Sequence, residues 1–457
     1  MKSIPFIVIA LFVFISCDSA TPPIPPDETK PLLTLSFDKK SCTELWIKLT
    51  TKDLTLPAQL TFKQYNPAGD SVTHTFSLGA NDSLVYIDSL FPNKNYSFQV
   101  SSISDQVSSN KLTTTTLDTT SHNFSYQTFE FGEPLTGNSS RLYDVAIINE
   151  NNIWAVGEIY VNDSLGQTDV YGLIHWDGNT WQKIKLWYSS PLGGTFVLSN
   201  IREILYRNQN EIWFAAGSIF KWDGISTNAQ LVYSRLNLPD PNGSIEKLWE
   251  TENGTLYGVG NSGTIMYYNV TSWSSVTSGT TLPLTDIYGN TDNEVYAVGI
   301  NVPEVKGVVL KGNSGGFSVM INSEIISENE LFNKLFGSLD AIWLDENNTI
   351  YTAGNLMFQY KNNKWDYVRS LPENFIGGNP GTYYRGFISS IRGNGSNDFV
   401  IAGDRNTLKH FNGISWQQIG LPYNPQSQIS LIAKQKGNTV VAVGSNGSKA
   451  FIILLNR

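Results

Sequence analysis

The sequence predicts an all-β chain, and three observations carry that prediction. Aromatic residues make up 12% of the 457 residues and charged ones only 16%, with 38 glycines, a composition suited to pleated, half-buried surfaces joined by tight turns. A short apolar segment ending in Gly recurs seven times along the last two thirds of the chain. Before it, short alternating segments such as Leu45-Trp46-Ile47-Lys48-Leu49 are separated by turn residues, the pattern of half-buried antiparallel strands.

The chain opens with Met1-Lys2, an apolar run from Ile4 to Ile15, and Phe14-Ile15-Ser16-Cys17. A positive start, an apolar stretch shorter than a membrane span and a small residue before the cut describe a secretory signal peptide. With Cys in that place the segment resembles a lipoprotein signal, although Phe14 stands where that motif has Leu. The resemblance implies lipidation of Cys17 and residues 1–17 as signal; an ordinary signal peptide with an incidental Cys, or an uncleaved anchor, is the alternative. Residues 18–31 hold five prolines and read as an extended tether. Nothing later has the length and apolarity of a membrane span, so the expected location is the bacterial cell envelope, exported and lipid-anchored. Cys42 is then left without an intramolecular disulfide partner and is expected to be a small buried residue. A net charge of −9 without a basic stripe argues against nucleic acid as a partner.

Within 32–117 the run Leu90-Phe91-Pro92-Asn93-Lys94-Asn95-Tyr96-Ser97-Phe98-Gln99-Val100 stands out. It resembles the fibronectin type III signature, which implies a β-sandwich over 32–117. The same resemblance makes Tyr96 a corner residue whose hydroxyl bonds back to the preceding loop, and Trp46 the core Trp of an early strand. Residues 118–123 form a linker.

The seven repeats end at Gly157, Gly217, Gly260, Gly299, Gly354, Gly403 and Gly444, a mean period of about 48 residues, within the range of propeller blades. Each copy follows a polar turn and an earlier apolar strand. Most are followed by an aromatic and a Trp five positions on: Trp176 with Trp181, Tyr268 with Trp273, Tyr360 with Trp365 and Phe411 with Trp416, while Trp222-Asp223-Gly224 keeps only the first half. Large aromatics at both ends of a tight loop pair across strands, so four strands per repeat are expected. The last repeat lacks its outermost strand, and the alternating segment 124–131 lies unassigned before the first. These patterns predict a β-propeller over 124–457 with seven four-stranded blades, closed by residues 124–131; six blades and a stray sheet is the alternative. The repeats resemble the Kelch-like, sialidase-repeat-like and photosystem-assembly-factor-like group of bacterial propellers. The Ser of the sialidase Asp-box is replaced by His175, so no substrate carries over.

Long connections, 158–171, 187–199, 300–306, 321–337 and 370–386, all join strand two to three or strand four to the next blade, which places them on one face of a propeller. Such loops are where recognition concentrates. Tyr160, Trp187, Tyr188, Phe196, Phe375, Tyr383, Tyr384 and Arg385 are therefore candidates for binding a glycan or a protein partner; packing within their own loops is the alternative. Asp144, Glu203, Lys247 and Asp286 recur 13 or 14 residues before the repeat Gly, and Asp144, Glu203 and Asp286 are the only candidate catalytic carboxylates. Ordinary polar residues beside a wet channel is the competing reading. The four histidines lie far apart in sequence, and no zincin pair, nucleophile elbow or dinucleotide fingerprint is present, so neither metal nor cofactor is expected. The expected function is a membrane-tethered, monomeric binding protein, with a carbohydrate-active enzyme, hydrolysing or transferring glycosyl groups, as the alternative.

Overall fold

The computed structural model describes residues 11–13, 31–134, 137–301, 304–324, 334–368, 387–422, 424 and 426–457. Two compact units result: Met1–Thr120 with Asn412–Ser415, and Ser121–Phe411 with Trp416–Arg457. None of the described residues forms a helix long and apolar enough to cross a membrane.

The first unit contains two antiparallel sheets. One runs in the order Leu11–Val13, Asp82–Ile87, Leu45–Lys52, Leu32–Lys40; the other runs Ser71–Leu78, Ala58–Tyr65, Asn95–Ser102, Val107–Ser108, with Leu112–Thr115 also on Asn95–Ser102. Alternate residues from both sheets, among them Leu35, Ile47, Val85, Phe62 and Phe98, meet in one core, as period-two patterning requires. The Tyr96 hydroxyl accepts the Phe91 N–H at 3.0 Å, so the ring spans the turn before its own strand. Trp46 departs from its expected place. It is buried, but Leu45, Ile47 and Leu49 occupy the core face of its strand, and period two turns Trp46 to the opposite face, 5.2 Å from Tyr86 between ring centroids. Cys42 is fully buried and its thiol donates to the Asp118 carbonyl.

Among the described residues the second unit contains seven four-stranded antiparallel sheets, here sheets 1 to 7. Their first strands are Arg141–Asn149, Glu203–Asn208, Lys247–Glu250, Leu284–Thr291, Leu339–Leu344, Ile388–Gly395 and Ile429–Lys436. Six sheets are built of four consecutive strands. Sheet 7 has three, Ile429–Lys436, Thr439–Asn446 and Lys449–Asn456, and its fourth is Ser125–Phe131, paired from Ser125↔Asn456 to Phe131↔Ala450. The first strands lie beside one another in sequence order, and that of sheet 7 lies beside that of sheet 1. Each neighbouring pair shares an apolar layer, for example Ile204 and Phe214 with Val156 and Leu173 between sheets 1 and 2, and Val145 and Ile174 with Val441 and Ile452 between sheets 7 and 1.

Two sequence signals find their physical reason in this packing. A Cβ on Gly157, Gly260, Gly354, Gly403 or Gly444 would stand 1.8–2.1 Å from a backbone carbonyl at or just before the start of the sheet's first strand, so the second strand approaches the first too closely for any side chain. The aromatic pairs are directly opposed: Trp176↔Trp181, Tyr268↔Trp273, Tyr360↔Trp365 and Phe411↔Trp416, with centroids 5.0–5.5 Å apart. They also fill the space toward the neighbouring sheet, as when Phe129 meets Trp176 and Trp213 meets Tyr268.

Three connections differ from the loops expected, one of them 300–306, where the ladder of sheet 4 runs on to Asn301↔Lys306. Residues 158–171 continue the ladder of sheet 1 as far as Asn162↔Thr168, and 187–199 belong to a two-stranded hairpin, Leu186–Ser189 with Thr195–Leu198. Their alternating Tyr, Val and Thr residues extend strands that turn-rich sequence had hidden. Two of the four histidines, distant in sequence, also meet. His122 Nδ1 lies 2.8 Å from His410 Nδ1, and His410 Nε2 lies 2.8 Å from Asp398, which also binds Arg457 and Gln435.

Candidate functional site

The polar residues at the starts of the first strands form two layers, because successive strand residues point to opposite sides. In the inner layer, Asp144 (sheet 1), Glu203 (sheet 2), Lys247 (sheet 3) and Asp286 (sheet 4) are brought together with two cations that the repeat pattern does not mark. Lys434 Nζ lies 2.8 Å from Asp144 and 3.1 Å from Glu203, Lys247 Nζ lies 2.7 Å from Glu203, and Arg392 binds Asp286 at 2.7 and 3.1 Å. Backbone bonds follow the same geometry: Asp144 accepts the Ile204 N–H, Asp286 the Ile342 N–H and the Ser390 hydroxyl the Ala433 N–H, each from the first strand of the next sheet.

Burial pushes the Asp144 carboxyl up to about 6, with Glu203 adding and Lys434 and Lys247 opposing. Burial also raises Glu203, but Lys247 and Lys434 outweigh it and hold this carboxyl below its ordinary value. Two carboxyls driven apart in this way have the electrostatics of a general acid and its charged companion. Asp144, however, has no exposed surface, and its Oδ2 is taken by both Ile204 and Lys434. The inner layer as built joins strands.

In the outer layer the Arg202 guanidinium sits 3.9 Å from the centre of the Tyr143 ring, and its Nε lies 3.8 Å from Glu246. Tyr143 and Tyr160 both donate their hydroxyls to Glu158, at 2.8 and 2.9 Å, and burial with Glu158 pushes the Tyr160 phenol up to about 12. Beside this cluster a cleft of about 390 Å³ opens between sheets 2 and 3. Arg202, Arg235 and Glu246 line it with Asn200, Asn242 and Asn261. All six stand where strand two meets strand three or where one sheet passes to the next, the connection types that the sequence assigns to the recognition face. None is among the sequence candidates, since isolated Asn and Arg residues in short turns carry no periodic signal.

The other sequence candidates divide. Trp187 is 37% exposed and Phe196 50% exposed on the 186–198 hairpin, whose Tyr188 packs against Phe220 at 4.9 Å. The Trp187 backbone is clamped by bonds to Thr227 and Ala229. Phe375, Tyr383, Tyr384, Arg385 and Cys17 lie outside the described residues. Among the described residues no group of three or more His, Cys, Asp or Glu side chains is arranged to hold a metal ion.

No protein-family model and no curated protein matches the chain. Among solved structures it is similar to a structural-genomics protein of unknown function from Bacteroides thetaiotaomicron, at 11% identity over 94% of this chain and 99% of that one, with a TM-score of 0.41. A tetra-tandem repeat from the extending region of a large adhesion protein aligns at 10% identity over 92% and 98%, with a TM-score of 0.16.

Proposed function

We propose that the chain is an exported, lipid-anchored binding protein: a fibronectin type III-like module at 32–117 spaces a seven-bladed propeller whose long-connection face recognises a glycan or protein partner. The propeller reading draws on the apolar layer shared by sheets 7 and 1 and on the Ser125–Phe131 strand that completes sheet 7. The sandwich reading draws on the Tyr96 hydroxyl bond. For recognition, the supporting observation is the polar cleft at connections of that one face, with Trp187 exposed on a clamped hairpin in the connection that precedes sheet 2.

The test is a screen of the full chain against immobilised glycans and envelope proteins, alongside Trp187→Ala, Tyr383→Ala and Arg385→Ala. Specific capture that weakens in these variants is the expected result; capture indifferent to all of them, with folding intact, would remove the face from consideration. For the anchor, Cys17→Ala is expected to abolish incorporation of labelled fatty acid in a bacterial host. Unchanged labelling would exclude Cys17 as the attachment point.

A further inference from the structure

We infer that the cleft between sheets 2 and 3 is an oxyanion subsite, and that its ligand is an acidic saccharide bearing a carboxylate or phosphate. The inference rests on the recognition reading above and names the chemistry of that face. Charge is the first argument. The chain as a whole carries −9, yet the cleft sets two guanidiniums, Arg202 and Arg235, against one carboxylate, Glu246.

Pairing is the second argument. Arg235 uses its backbone N–H on Ser218, but its guanidinium makes no hydrogen bond or ion pair among the described residues. Arg202 meets Glu246 only at 3.8 Å, too long for a hydrogen bond; its Cζ lies over the Tyr143 ring, 3.9 Å from the centroid, and its guanidinium makes no hydrogen bond among the described residues. A guanidinium held in this way presents a planar fork that matches the two oxygens of a carboxylate or phosphate.

The third argument concerns the rest of the lining. The side-chain amides of Asn200, Asn242 and Asn261 make no hydrogen bond among the described residues, and each offers both donors and an acceptor, as a ring of hydroxyls requires. Their backbones are fixed: Asn242 donates to the Asp240 carboxylate at 2.8 Å and Gly243 to the Asp240 carbonyl at 2.9 Å, while Ser234 caps the short turn that carries Arg235. Binding therefore has to order these side chains but not the turns that carry them. A volume of about 390 Å³ is that of a small-ligand site.

Calorimetric titration of the full chain tests the assignment with three probes: an oligogalacturonate, a sugar phosphate and a neutral galacto-oligosaccharide. One acidic probe is expected to bind at least about tenfold more tightly than the neutral one, and which of the two binds separates carboxylate from phosphate. Arg235→Gln is expected to weaken that binding about tenfold. Because the Arg235 side chain is exposed and makes no hydrogen bond or ion pair among the described residues, this variant should fold as the parent does; Arg202→Gln, checked by its melting curve, supplies the second removal. Equal binding of the neutral probe, binding unaffected by either substitution, or no binding of either acidic probe overturns the inference. If Trp187→Ala abolishes capture in the screen while the arginine variants do not, the recognition face stands and this subsite does not.

Discussion

Sheets 2 and 3 begin with neighbouring pairs of opposite charge, Arg202-Glu203 and Glu246-Lys247, and the two members of each pair meet different fates. Glu203 and Lys247 turn toward the other first strands and meet at 2.7 Å, with the carboxylate side chain only 8% exposed. Arg202 and Glu246, one position earlier, turn toward the cleft, where they stay 3.8 Å apart and 38% and 28% exposed. The residue types and elements are shared; desolvation separates the roles. A buried charge has to be neutralised where it stands, so the inner layer is occupied by its own partners. A charge at a wet cleft keeps its donors exposed to water.

The largest effect should come from breaking the inner layer. Lys434→Met removes the one cation that bridges Asp144 and Glu203 and leaves two buried carboxyls side by side. An uncompensated buried charge costs about 3–5 kcal/mol. Urea unfolding followed by Trp fluorescence should show the midpoint falling accordingly. An unchanged midpoint would mean that these contacts do not hold the first strands together.

Next in size is a steric test of how close those strands lie. A Cβ at Gly354 would stand 2.0 Å from the Ser338 carbonyl, and the backbone has to move. Gly354→Ala should cost about 3 kcal/mol. Gly79→Ala, on an open turn of the first unit with nothing within 4 Å, should stay within about 0.5 kcal/mol. Equal costs at the two sites would break the link between the repeat glycine and strand spacing.

That link explains how much of the molecule was legible in the sequence. The repeat glycine, the aromatic pairs and the segment 124–131 all follow from local geometry with a fixed period, so the four-stranded sheets and the pairing of the two ends of the second unit could be read directly. Asp144, Glu203, Lys247 and Asp286 were visible for the same reason. Their partners were not: Lys434 binds Asp144 from 290 positions away, and Arg392 binds Asp286 from 106 away. Arg392 lies two residues and Lys434 three beyond the repeated position, the other sheets carry Ala146, Leu205, Trp249, Tyr288 and Trp343 two residues beyond it, and no pattern predicts a cation there. The cleft was hidden because Arg235 and Asn242 sit in turns whose shape, rather than sequence period, brings them together. Trp46 was placed in the core by the fibronectin resemblance, whereas the alternation of its own strand gives the core face to Leu45, Ile47 and Leu49.

A carboxyl one position before the repeated one should also show itself in pH. Asp340, at the start of the first strand of sheet 5, is pushed up to about 6 by burial, with Asp286 adding and Lys247 opposing. Its folded value exceeds its ordinary 3.8, so the folded state holds the proton more tightly. The stability it contributes is therefore complete below about pH 3.8 and is lost as pH rises through about 6. Asp340→Asn mimics the neutral acid. The variant should gain stability relative to the parent between pH 5 and pH 8, with little difference at pH 4. A constant difference across that range would mean that Asp340 is charged in the folded protein throughout.

The smallest expected effect is the one that separates the two layers most cleanly. Arg235→Gln removes a charge as Lys434→Met does, but from a side chain that is exposed and makes no hydrogen bond or ion pair among the described residues. Its unfolding midpoint should stay within about 0.5 kcal/mol of the parent at any pH between 5 and 8, even while binding of an acidic saccharide weakens. A stable protein with lost affinity places Arg235 in recognition. Destabilisation by more than about 1 kcal/mol would instead mean that the guanidinium holds a turn in place. The cleft would then belong to the same structural class as the layer of Glu203 and Lys247, and the contrast between the two layers would be one of exposure alone.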